Sequence, residues 1–157
     1  MHRLLFLLFA TTLLVFSCDP DSDATENGAL KLNFKATYQG EPLVMLDQVY
    51  IYPDGTPVKF QLFNYYVSDL RLKKTGETAG QLISEVAIID YGDVYDVSTA
   101  ETGIELKSEQ NIKPGTYDQL EMGIGLSPAL NATQPGDYNA GHPLTDNFWS
   151  WATGYVF

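Results

Sequence analysis

From Leu30 onward apolar and polar residues alternate: Leu30, Leu32, Phe34 and Ala36 fall on one face, and Lys31, Asn33, Lys35 and Thr37 on the other. A period of two is the signature of a strand buried on one side. Gln39-Gly40-Glu41-Pro42 interrupts the pattern. A second extended run, Leu43 to Tyr52, stops at Pro53-Asp54-Gly55-Thr56, where proline presets φ and glycine admits φ > 0. A third run, Val58 to Lys74, carries Val58, Phe60, Leu62, Tyr66, Leu70 and Leu72 at even positions, with Lys59, Gln61, Asp69, Arg71 and Lys73 among the odd ones. One apolar face with a bend near Asn64 is the expectation. Gln81 to Tyr91 is β-branched and apolar, as a buried strand is. Ile104-Glu105-Leu106 reads as a short strand and Lys113-Pro114-Gly115-Thr116 as a type II turn. Leu120, Met122, Ile124 and Leu126 form one face of a further strand. Ser127 to Thr145 is rich in Pro, Gly, Asn and Asp, and reads as a long loop, a length at which loops are commonly functional or mobile.

No helical periodicity is sustained and no repeat is evident, so the predicted class is all-β: an antiparallel β-sandwich of Ig-like or jelly-roll-like type. The terminal segment Phe148 to Phe157 reads as one more strand that stops without a polar exit. An aromatic end of that kind invites edge pairing, and the domain is expected to be incomplete at its C-terminus.

The N-terminus reads as an address. His2 and Arg3 precede an apolar stretch, Leu4 to Phe16, shorter than the roughly 20 residues that span a bilayer. It matches the h-region of a signal peptide. The stretch ends Leu14-Val15-Phe16-Ser17-Cys18, which resembles a bacterial lipobox, and Cys18 is the only cysteine in the chain. A lipidated Cys18 would hold the domain to a membrane through acyl burial of about 0.8 kcal/mol per CH₂. A simple cleaved signal with a chance cysteine is the alternative. The acidic run after Cys18, up to Gly28, has no large apolar side chain and reads as a flexible tether. It also resembles the export signal of surface lipoproteins in Bacteroidota. The expected division is residues 1–17 as signal peptide, 18–28 as tether and 29–157 as the sandwich, lipid-anchored to the outer membrane on its periplasmic or surface face.

Composition changes this picture mainly by exclusion. The chain has 157 residues, 20 Asp and Glu against 9 Lys and Arg, and a formal charge of −11. One domain is the natural count, and the charge excludes a nucleic-acid binder that tracks phosphates. A single cysteine leaves no internal disulfide and no cysteine-rich metal site.

Candidate chemistry is sparse. Beyond the leader the only histidine is His142, no G-x-S-x-G surrounds a serine, and no triad can be assembled. Asp90, Asp93 and Asp96 lack the D-x-D-x-D-G spacing of a calcium loop and read as a solvated acidic segment. Gly123-x-Gly125 lies in a strand pattern and is no dinucleotide fingerprint. The protein is therefore not expected to be an enzyme. What remains is His142 in a loop, followed by Trp149 and Trp151, which on one strand would face the same side.

In the order LNFKATYQGEPLV, FQLFNYYVSDLRL, PGTYDQLEMGIGL and NFWSWATGYVF, the chain resembles the MbnP-like copper-binding domain of bacterial periplasmic and surface proteins. The resemblance spans about residues 29 to 157. It implies an all-β extracytoplasmic domain that holds one copper ion through histidine imidazoles and a tryptophan oxidised to kynurenine by a partner di-haem peroxidase. Imidazole suits copper, and kynurenine offers an amine and a carbonyl that indole lacks. By this resemblance His142, Trp149 and Trp151 are the metal-site candidates, with Trp149 favoured for the oxidation. The chain departs from copper-binding members at Asn131-Ala132, where they carry an Asn-His pair. A second imidazole would then be sought beyond Phe157. The alternative is a metal-free β-sandwich, a surface binding, adhesion or structural module in which the tryptophans and tyrosines contact a ligand or build the core.

Overall fold

Strand β1, Gly28–Phe34, keeps the alternation of its sequence, with Leu30, Leu32 and Phe34 turned inward. The computed structural model describes residues 28–149 and 154–155, apart from the side chains of 108–111; the leader, Cys18, the tether up to residue 27 and Trp151 lie outside the described residues. After β1 come two short hairpins: β2 (Thr37–Tyr38) with β3 (Glu41–Pro42), and β4 (Tyr50–Ile51) with β5 (Pro57–Val58). The long strands β6 (Asn64–Lys74) and β7 (Gln81–Asp90) follow. Helix α1 (Val97–Thr102) then leads into β8 (Ile104–Ile112) and β9 (Tyr117–Ile124). A one-turn helix α2 (Pro128–Asn131) and the paired strands β10 (Phe148–Trp149) and β11 (Gly154–Tyr155) complete the order.

Two antiparallel sheets face each other, β1 against β8 and the three-stranded β7-β6-β9. Between them lie Val67, Ala87 and Ile89, with Phe34 and Ile104 packed alongside, and further along Leu70, Ile83 and Ile112 with Leu30, Leu32 and Leu72. Leu106 and Met122 touch both groups. The all-β sandwich expected from the sequence is the architecture observed.

Strand β6 departs from simple alternation in an instructive way. Tyr66, Val67 and Ser68 are all buried, because this central strand is covered on both faces. Val67 and Leu70 both point into the sandwich, although their numbers differ in parity, while Tyr66 packs in a separate cluster with Val86, Leu130, Leu144 and Tyr155. The cause is a bulge. The register slips between Ser68 and Arg71, and Asp69 adopts φ 52°. One unpaired residue reverses which face each later side chain occupies. The single apolar face expected from Tyr66 to Leu72 is thus corrected to two faces. At the same place Gly123 lets β9 approach: a Cβ there would lie 2.9 Å from the buried Ser68 Oγ.

Other expectations are corrected. Leu43 to Tyr52 is not one strand: only Tyr50–Ile51 joins a ladder, Leu46 has φ 62°, and Met45 makes an isolated bridge to Phe60. Val58 to Lys74 is two elements, because residues 59–63 leave the ladder and Leu62 is 67% exposed. The strand at Ile104 runs to Ile112, since β1 supplies a ladder partner that polar residues 107–111 do not advertise. In β9 only Met122 of the predicted apolar face packs inward, while Leu120 and Ile124 stay exposed on this edge strand. The chain bends at Pro114–Gly115, but Gly115 at φ 153° is far from the roughly +80° of the type II turn expected there.

The acidic segment after β7 serves structure. Asp96 caps α1 by accepting from the Thr99 N–H at 2.9 Å, Asp90 accepts from the Gly92 N–H, and Asp93 from the Tyr95 hydroxyl. The Thr99 backbone bond holds the Asp96 carboxyl below its usual range.

Candidate functional site

The loop after β9 is fixed to the outer face of the three-stranded sheet. Leu144, fully buried, inserts among Tyr66, Val86, Leu130 and Tyr155, with Ile88, Leu126, Tyr138 and Phe148 around them. Polar anchors reinforce this apolar plug. The Tyr66 hydroxyl reaches the Pro143 carbonyl at 3.1 Å and the Asp146 carbonyl at 3.3 Å, and accepts from Asn147 Nδ2 at 3.4 Å. The Tyr155 hydroxyl donates to the Leu144 carbonyl at 2.8 Å. Burial raises the pKa of both tyrosines, so both stay protonated donors. Among the described residues no buried side-chain polar atom lacks a partner.

His142 sits at the start of a single 3-10 turn, Pro143–Thr145. Its Nδ1 accepts from the Leu144 N–H at 3.2 Å, the role of an N-cap. Its ring lies flat on Tyr138, with centroids 4.0 Å apart and planes 3° from parallel. The Tyr138 hydroxyl is held in turn by Thr133 Oγ1 at 3.0 Å. His142 also lines a cavity of about 350 Å³ of mixed character, together with Asn64, Ile88, Asp90, Pro143, Asp146 and Asn147.

This arrangement constrains metal chemistry. With Nδ1 accepting, the neutral imidazole carries its proton on Nε2 and has no free lone pair there. A metal at Nε2 requires the proton to move to Nδ1, and a metal at Nδ1 displaces the Leu144 N–H. Either route breaks the cap. Among the described residues no three of His, Cys, Asp and Glu come together as a metal-binding group.

Trp149 ends β10, 44% exposed, and pairs with Gly154 of β11. The terminal segment was expected to be one strand; Phe148↔Tyr155 and Trp149↔Gly154 instead make it an antiparallel pair. The alternation that would set Trp149 and Trp151 on one face falls outside the described residues at Trp151. Asn131 lies against the same pair: a Cβ on Gly154 would be 3.4 Å from the Asn131 carbonyl oxygen. Ala132, the C-cap of α2, follows it directly. The described residues therefore bring Asn131, Ala132 and the Trp149–Gly154 pair to one place, with His142 further along the same loop.

The model of the MbnP family matches residues 27–157. The chain belongs to the MbnP family. No curated protein and no solved structure matches it. The described residues offer one imidazole, already engaged at Nδ1, and Ala132, next in the chain to Asn131, brings a methyl group with no donor atom. That set does not make a copper site by itself. The sequence reading missed Tyr66, Tyr138 and Tyr155, which hold the loop. Their signal, tyrosines two strands and a loop apart, has no local periodicity to reveal it.

Proposed function

We propose that the protein is an extracytoplasmic lipoprotein, anchored to the outer membrane through Cys18, whose MbnP domain is a non-enzymatic binding module. The observation that carries this reading is the engagement of His142: its Nδ1 caps the 3-10 turn and its ring stacks on Tyr138, so the imidazole serves the loop. The leader and lipobox support the anchor. Radiolabelled palmitate on the wild type and none on Cys18→Ala, with release of the variant from membranes, is the expected outcome.

The second reading, copper binding or scavenging with a di-haem peroxidase partner, has its own support. Family membership and the gathering of Asn131, Ala132 and Trp149 favour it. One experiment separates the two: competitive copper titration of the full chain beside His142→Ala and Ala132→His, with peptide mass mapping of Trp149 and Trp151. The binding-module reading expects wild type and His142→Ala to retain copper alike and both indoles to be unmodified. Stoichiometric copper lost on His142→Ala, or a kynurenine at either tryptophan, would establish the copper reading instead.

A further inference from the structure

A second cavity, of about 530 Å³, opens just past the C-terminal end of β1 and is lined by none of the residues that line the His142 cavity. Its walls are aromatic. On one side Tyr38 and Phe60 line it, locked with Tyr50 into a triangle of rings whose centroids lie 5.3–5.5 Å apart. The Tyr50 hydroxyl fixes that triangle by accepting from the Val44 N–H and donating to the Pro42 carbonyl, both at 2.7 Å. On the other side stand Phe63, Tyr65 and Tyr91, with Phe63 5.7 Å from Tyr65 and 5.3 Å from Tyr91. Burial raises the pKa of both Tyr65 and Tyr91. Such walls are preformed, so a ligand meets rings that need no ordering.

The mouth adds two features. Ile124 leaves 73% of its surface exposed there, and Phe63 36%. Lys35 is the one cation among the lining residues, and among the described residues it forms no ion pair. Its stem is seated where Gly103 leaves room: a Cβ on Gly103 would lie 2.9 Å from Lys35 Cγ. An exposed positive charge without an ion pair at the edge of an aromatic cavity, on a chain of formal charge −11, favours a complementary anion.

We propose that this cleft binds a small planar aromatic molecule bearing one anionic group, its ring between the two aromatic walls and its anion at Lys35. The proposal rests on the binding-module reading and gives it a ligand class. Ring faces stack on the walls in offset or edge geometry, and the Lys35 ammonium supplies a charge-assisted bond that a neutral analogue cannot use.

The test is equilibrium dialysis of the full chain against 2-naphthoate and its neutral counterpart 2-naphthol. Wild type is expected to take up one naphthoate saturably. Lys35→Gln should weaken naphthoate about tenfold, the worth of one charge-assisted bond, and leave naphthol unchanged. Phe63→Ala should weaken both. Ile124→Glu, at a position too exposed to disturb the core, should weaken naphthoate by repulsion even if Phe63→Ala fails to fold. Tyr52→Ala, on the separate exposed hairpin, should change neither. Absence of saturable uptake, an equal response of both probes to Lys35→Gln, or equal loss on Tyr52→Ala would overturn the proposal. So would a phenylalanine-containing peptide binding much more tightly than naphthoate, or dimerisation that consumes the cleft. His142→Ala must leave naphthoate binding intact, so a failure here is distinct from any result of the copper titration.

Discussion

The two faces of β6 are held by different physics. The inner face, with Val67 and Leu70, packs against β1 and β8 through apolar side chains. The outer face, with Tyr66, is covered by a loop that contributes Leu130 and Leu144 and is tied down by tyrosine hydroxyls reaching its carbonyls. An apolar sheet-on-sheet contact is extensive and tolerant of small shifts, whereas a loop held by a plug and a few directional bonds has a defined geometry and a low threshold for opening. The sandwich therefore provides stability, and the loop side provides a surface whose shape depends on few groups.

The largest expected effect tests the inner face. Leu70→Ala removes a fully packed side chain between the sheets and should cost about 2–5 kcal/mol, seen in urea unfolding as a lowered midpoint with all probes coincident. The same truncation outside, Leu144→Ala, falls in the same chemical range of about 2–5 kcal/mol but should act locally. Amide exchange should rise across residues 127–149 while β6 and β7 keep their protection. Equal loss of protection in both regions would erase the distinction between the faces.

Smaller effects sharpen it. Tyr66→Phe keeps the ring and removes the hydroxyl from the Pro143 and Asp146 carbonyls, at about 0.5–1.5 kcal/mol, again confined to the loop by hydrogen exchange. Alkaline pH probes both regions through their tyrosines. The native pKa values of Tyr65, Tyr66, Tyr91 and Tyr155 are raised by burial. Their contribution is thus complete below the ordinary tyrosine range of about 10 and lost as pH rises from there through the native values. Stability should fall above about pH 10, and Tyr91→Phe should flatten part of that fall in a thermal-denaturation series. Least of all, Asp96→Ala should fray α1. The Asp96 carboxyl is held below its usual range by the Thr99 N–H, so its cap is present above the ordinary carboxylate pKa and lost as pH falls through the native value. Helix-specific amide exchange at Thr99 and Ala100 would report it.

How much of this was written in the sequence follows from range. Alternation is local, so β1 was legible from its two faces, and β7 from its β-branched, apolar composition. The family resemblance was carried by segment order and by the aromatic ending, and it is the family found. The bulge at Asp69 was hidden, because every even position from Tyr66 to Leu72 is apolar or aromatic but one, and a parity change leaves no mark in such a run. Helix α1 was hidden by brevity: Asp96 and Gly103 mark its ends, but six residues are too few for a helical period. For the candidate site, His142 and Trp149 were legible as rare residue types. The stack of His142 on Tyr138 and the approach of Asn131 to the Trp149–Gly154 pair are contacts made by folding, and no spacing encodes them.

The bulge at Asp69 also has a genetic reading. A strand with unbroken parity would show one rhythm of tolerated and rejected substitutions from end to end. In β6 that rhythm should jump phase at residue 69, and deleting the residue should restore one rhythm while leaving Tyr66 toward the loop and Val67 and Leu70 toward the sheets. Positions facing the loop and positions facing the second sheet answer to different neighbours, so the two sets can change as separate inheritances.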